Sequence, residues 1–311
     1  MTKLSLNLLL TVLLGLTATG CGSEAVKASP ALRDSVTVTG EFGARPELKL
    51  KAPVAVPETT VWTETKGDGD KVGATATAIL QLTLADARTG KTAVSTFDGG
   101  QRPLEVQLGE SVFPALTKAL TGVAAGTRVV VASTSDDAYG DQGAPQIGIK
   151  GGDPLVIVAD ILSTDPTSVL PGPTGATLAP SPKAPRMLER DGEPIGFDFT
   201  GLRKPKKLVV VPLREGTGPA IENPDRVTAN YLGQVWKAKS PFESSFTSGP
   251  ATYSVGLGGT IKAWEQGLIG VREGSRVLLL CPPALAYGKR EQPGIPSNST
   301  LVFVIDVLGV G

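Results

Sequence analysis

The stretch Tyr253–Cys281, YSVGLGGTIKAWEQGLIGVREGSRVLLLC, decides the fold class. In its middle, Ile261, Trp264, Leu268 and Val271 fall at spacings of three, four and three. Those spacings put them on one face of a short helix. The flanking runs, together with KKLVVVPL, RVTANYLGQVW and TLVFVIDVL further out, are β-rich and separated by Gly, Pro, Asn and Ser. They read as strands of one antiparallel sheet whose apolar face a single short helix covers, an α+β arrangement.

The same stretch occurs twice. GVREGSRVLL from Gly270 matches GVAAGTRVVV from Gly122, and the same shift of 148 positions takes Phe113 to Ile261, Leu116 to Trp264, Arg128 to Arg276 and Tyr139 to Tyr287. LVIVADIL from Leu155 matches LVFVIDVL from Leu301 at a shift of 146, so a loop between them is two residues shorter in the second copy. A repeat of this size exceeds the roughly 20–50 residues of solenoid units and marks a duplicated domain. Between the copies lie Pro166, Pro171, Pro173, Pro180, Pro182 and Pro185 among Ser, Thr, Gly and Ala, the composition of a linker. A chain of 311 residues with 41% hydrophobic side chains has room for two cores, while 38 Gly and 25 Pro favour turns over long helices.

Composition also excludes chemistry. Lys+Arg and Asp+Glu number 30 each, so the electrostatic footprint of a nucleic-acid binder is missing and no nucleic-acid partner is expected. There is no histidine, which removes Ser-His and Cys-His mechanisms. No nucleotide loop or metal cluster is seen in the sequence, and no cofactor is expected.

The N-terminus carries Lys3, an apolar run from Leu4 to Leu16, then Ala18, Thr19 and Gly20 before Cys21. The run is too short to span a bilayer and reads as an export signal. The small residues before Cys21 resemble a bacterial lipobox, which implies cleavage there and lipidation of Cys21; ordinary secretion with a free terminal cysteine is the alternative. With Cys21 lipidated, Cys281 has no partner and reads as a small buried hydrophobe.

Tyr231 in ANYLG, Phe242 in PFESS, YSVGLGGTIKAWEQGL, AYG and PGIPSNSTLVF occur in an order that resembles the FKBP-type peptidyl-prolyl cis/trans isomerases, over about Lys207 to Leu308. The resemblance implies two FKBP-like domains, each an antiparallel sheet wrapped around one short α-helix, and a proline-binding pocket in the second. It implies Trp264 as the pocket floor, Tyr231, Phe242, Thr260, Ile261, Tyr287 and Phe303 as walls, and Glu243 in place of the family's usual aspartate. The Ile261 backbone N–H and the Tyr287 hydroxyl would face the substrate carbonyl. Ala251, often phenylalanine, and Ser297, often proline, also depart from the pattern. On pattern alone Trp264 and Phe303 read equally well as core.

The first copy keeps the scaffold without the pocket: Leu116 replaces the tryptophan, Pro114 follows Phe113, and ILQLTLAD has no tyrosine. The expected organisation is a signal peptide (1–20), a tether (21–35), a degenerate FKBP-like domain (36–162), a Pro-rich linker (163–195) and an isomerase domain (196–311). VTGEFGARPELKL and IGFDFTGLRKPKKL, one before each domain, resemble entry arms of exported actinobacterial FKBP lipoproteins and suggest an extra edge strand each. Expected partners are proline-containing exported polypeptides, the membrane through the lipid on Cys21, and macrolide inhibitors; the expected location is extracytoplasmic, anchored to a bacterial cell membrane. A non-catalytic peptide-binding or chaperone lipoprotein is the second reading. A solute-binding lipoprotein is a third, without any two-lobed α/β pattern to support it.

Overall fold

The computed structural model describes residues 28–99, 101–109 and 113–311. The expected signal peptide and Cys21 lie outside the described residues. No described helix is long and apolar enough to cross a membrane.

The N-terminal half runs α1 (Pro30–Ser35), β1 (Val36–Thr39), β2 (Glu47–Leu50), β3 (Thr60–Thr65), β4 (Thr77–Asp86), β5 (Thr92–Ser95), β6 (Leu104–Gln107), α2 (Pro114–Leu120), β7 (Arg128–Ser133) and β8 (Leu155–Thr164). Its sheet has the order β3-β7-β8-β4-β5, with β6 also paired to β4. After it come β9 (Ala176–Thr177), β10 (Arg186–Arg190), β11 (Glu193–Asp198), β12 (Val209–Glu215), β13 (Asp225–Val235), β14 (Glu243–Ser244), β15 (Ala251–Val255), α3 (Lys262–Gly267), β16 (Arg276–Cys281) and β17 (Leu301–Val310). The second sheet has the order β14-β13-β17-β16-β12-β9, with β15 also on β13. All the pairings are antiparallel. The two FKBP-like α+β units are thus present.

The near-continuous apolar runs follow from burial on both faces. In β17, Leu301, Phe303, Ile305 and Val307 face the helix-covered core, while Val302 and Val304 face the other side. In β8, Leu155, Ile157, Ala159 and Ile161 divide from Val156 and Val158 in the same way. The outer face needs its own cover, and the entry arms supply it. They do not extend the sheets as edge strands: β1–β2 and β10–β11 are separate two-stranded hairpins. A hairpin laid across the face buries Val130, Val158, Leu278 and Val304, which an added edge strand would leave in water.

A buried ion pair stands at the same place in each copy. Arg128 donates to Asp160 at 2.6 and 2.8 Å, and Arg276 to Asp306 at the same distances, each across the strand register. The spare guanidinium nitrogens tie down the arms. Arg128 reaches the Gly40 and Ala44 carbonyls, both at 2.7 Å, and Arg276 reaches Glu189 at 2.9 Å.

The helix is shorter than its apolar spacing suggests. α3 ends at Gly267, and Val271 lies beyond a turn at Gly270, whose φ of +83° breaks the helix. In the stretch read as a tether, residues 28–35 include α1, capped by Ser29 and packed through Leu32. In the stretch read as a linker, β9 pairs with β12 and β10 belongs to the second arm. Cys281 is fully buried, and burial pushes its thiol far up, as expected of a packing residue.

Candidate active site

β13, β17 and α3 bring the predicted aromatics together. Register pairs Gly233 of β13 with Phe303 of β17 on one side and with Glu243 of β14 on the other. The alternation of β13 turns Tyr231 to the same face as Gly233. Trp264, two residues into α3 and 5% exposed, rises between them. Its ring centroid lies 5.2 Å from Tyr231 and 5.5 Å from Phe303, both edge-on. Phe242 stands 5.8 Å from Phe303 and closes the far wall. Half-buried Ile261 and Tyr287 pack against this cluster from the loops on either side.

Two residues that the sequence reading passed over belong to the site. Tyr253 of β15 stacks edge-on at 5.5 Å from Trp264 and 6.1 Å from Tyr231. Its signal was the alternation of ATYSV on a strand next to β13, which only the pairing makes spatial. Gly233 is the other. A Cβ there would sit 2.5 Å from the Phe242 ring and 2.8 Å from Phe303, so glycine is what lets the two rings close over β13.

The polar groups are few. Burial first, with the Glu243 carboxylate and the Tyr253 hydroxyl beside it, pushes the Tyr231 phenol far up, so it is a neutral hydrogen-bond donor at physiological pH. Burial also raises Tyr287, keeping it protonated. Trp264 Nε1 is buried with no hydrogen-bond partner among the described residues, a donor whose desolvation they leave uncompensated. Thr260, read as a wall, also anchors its loop: its hydroxyl (2.6 Å) and its N–H (2.9 Å) both donate to Glu265. Gly256 and Gly258 donate to the same carboxylate at 2.6 and 3.2 Å. Burial works against the Glu265 charge, but these four donors outweigh it and hold the carboxyl below its ordinary range. Glu265 thereby fixes the loop that delivers Ile261, the N-cap of α3. Ala251 is exposed on β15, paired with Ala229 of β13.

The first copy has the backbone of this site without its rings. Pairing sets Leu82, Leu84, Val94, Val106 and Ile157 in the registers of Tyr231, Gly233, Glu243, Tyr253 and Phe303. Leu84 is 4% and Leu116 2% exposed, so aliphatic side chains fill the space. Tyr139 remains, its ring 5.6 Å from Phe113.

The family described as FKBP-type peptidyl-prolyl cis-trans isomerase matches residues 65–161 and 218–308. FK506-binding protein 4 of Chaetomium thermophilum is 46% identical over 95 residues, 30% of this chain and 20% of the relative. The FKBP-type peptidyl-prolyl cis-trans isomerase FkpA of Escherichia coli K12 is 42% identical over 103 residues, 33% of this chain and 37% of the relative. The chain therefore spans well under half the length of either curated relative. Among solved structures, FkpA from Escherichia coli matches with a TM-score of 0.31 and 38% identity, over 33% of this chain and 47% of that one. The three FKBP domains of wheat FKBP73 match with a TM-score of 0.35 and 17% identity, over 81% of this chain and 94% of that one. With both halves matched by one family, this chain belongs to the FKBP-type peptidyl-prolyl cis-trans isomerases.

Proposed function

We propose that the C-terminal domain catalyses cis/trans isomerisation of X–Pro bonds, and that the N-terminal domain does not. The observation that carries the reading is the aromatic box on Trp264, walled by Tyr231, Tyr253, Phe242 and Phe303. A barrier of about 18–20 kcal/mol opposes rotation because the planar amide is resonance-stabilised. Resonance is lost in the twisted transition state, and no covalent bond breaks. A dry aromatic cavity disfavours the charge-separated planar form, and a shape that fits the twisted form lowers the barrier. Trp264 carries the proline ring, while the Tyr287 hydroxyl and the Ile261 N–H are donors for the displaced carbonyl. Burial, with Glu243 and Tyr253 hydrogen-bonded beside it, keeps the Tyr231 phenol in its neutral form.

The natural substrates are proline-containing polypeptides that fold after export, where uncatalysed isomerisation takes tens to hundreds of seconds. Cys21 is lipidated, tethering the protein to the outer face of a bacterial membrane, and macrolides of the kind the family binds compete for the Trp264 box. A non-catalytic peptide-binding or chaperone role is the second reading, favoured by the small, exposed Ala251 of β15. The test is the cis-to-trans rate of a short X–Pro peptide with the full chain and with a Trp264→Leu, Tyr287→Phe variant. Acceleration that the variant loses is the expected result; a wild-type chain with no acceleration leaves the binding role.

A further inference from the structure

Arg102, in the N-terminal domain, donates through Nη1 to the Leu257 carbonyl of the C-terminal domain at 2.7 Å, across 155 residues of sequence. Leu257 belongs to the loop 256–260, which Glu265 grips from the inner side through Gly256, Gly258 and Thr260. The loop thus has a carboxylate on one side and a guanidinium from the other domain on the other. Gly258 lies under the same guanidinium: a Cβ there would meet Arg102 Nη1 at 3.0 Å.

The contact is backed by a polar junction that holds the domains in one register. Arg226, at the start of β13 and 8% exposed, bonds Asp165 at 2.8 Å and Ser254 at 2.7 Å and reaches Glu105 at 2.5 Å. Its N–H donates to Ser163 at 2.8 Å, and its carbonyl accepts from Gly311 at 3.1 Å. Ser254 directly follows Tyr253, and Glu105 is three residues from Arg102. The N-terminal domain therefore touches the loop leading to Ile261 directly through Arg102, and reaches β15, with Tyr253, through Arg226 of β13.

From this juxtaposition we infer that Arg102 is a positioning residue for the C-terminal site, and that the N-terminal domain, in which aliphatic side chains fill the corresponding registers, sets the loop 256–260. The inference rests on the isomerase reading for its consequence but not for its structural content. The experiment uses the full chain as wild type, Arg102→Ala and Arg102→Lys. It reads amide hydrogen exchange at Gly256, Gly258 and Thr260, kcat and KM for an X–Pro peptide, and the thermal midpoint. Arg102→Ala is expected to speed exchange at these amides about fivefold and to lower kcat about fivefold, the scale of one charge-assisted hydrogen bond at a partly wet site, with KM and the midpoint little changed. Arg102→Lys, which keeps the charge, restores part of both. Unchanged exchange in Arg102→Ala overturns the inference, as does a fall in activity that follows the midpoint. A wild-type chain without catalysis sinks the isomerase reading alone, because the exchange result still decides the clamp.

Discussion

The two domains share a ladder and differ in volume. Strand order, the helix on the inner face, the arm on the outer face and the buried Arg–Asp pair recur in both. Where the C-terminal domain has Gly233 under two phenylalanines, the N-terminal one has Leu84; where one has Trp264, the other has Leu116. A fold held by backbone pairing and a few polar anchors survives such exchanges, because cores tolerate apolar repacking at conserved volume. A pocket does not, because it is the space that side chains leave.

The largest effect expected from breaking this comparison is on the shared anchor. Arg128→Met leaves Asp160 buried and strips two arm carbonyls of their donor, so it should cost about 3–5 kcal/mol. Arg276→Met should cost less, since Glu189 and the partly wet side of Arg276 relax more easily. Urea unfolding followed at Trp62 for the N-terminal domain and at Trp264 for the C-terminal one measures both; equal losses would refute the difference.

Next comes the exchange of volumes. Gly233→Ala drives a methyl into Phe242 and Phe303, with about 1–3 kcal/mol of overpacking and at least roughly a tenfold fall in kcat/KM. The reverse change, Leu84→Ala in the N-terminal domain, should cost about 2–5 kcal/mol and create no activity, since Leu116 and Val94 remain. Activity gained by Leu84→Ala would mean that one side chain alone silences that domain.

A smaller effect separates ring from hydroxyl at Tyr253. Tyr253→Val, the residue its counterpart Val106 suggests, should destabilise by about 2–3 kcal/mol through lost aromatic packing on Trp264. Tyr253→Phe should cost only about 1 kcal/mol, leaving a Tyr231 phenol that titrates lower. Ultraviolet titration and thermal melts distinguish the two.

The smallest effect is in pH dependence. Burial, with the Glu222 charge adding to it, pushes the Asp225 carboxyl up to about 6, against the backbone hydrogen bond it accepts from Glu222. A folded-state pKa above the unfolded one means that the native state holds the proton more tightly. Its stabilising contribution is therefore complete below the ordinary aspartate range and lost as pH rises through about 6. Asp225→Asn should flatten that slope between about pH 4 and 6. Ala76, one residue before the matching β4–β6 register, stands at the corresponding position in the N-terminal domain, which should show no slope from it.

Much of this was legible in the sequence for a physical reason. Strand alternation, the 148-residue repeat and the glycine turns are local or periodic, so the α+β class and the duplication follow from reading along the chain, while the aromatic set came from the family resemblance of the motifs that carry it. Tertiary structure decided what depends on distance between segments. Pairing of β13 with β14 and β17 made Gly233 the residue over which the Phe242 and Phe303 rings close, and pairing with β15 brought Tyr253 onto Trp264. Burial on the outer face turned the arms into covering hairpins rather than edge strands. Only domain packing set Arg102 against Leu257, because a contact between residues so far apart leaves no period or spacing to read.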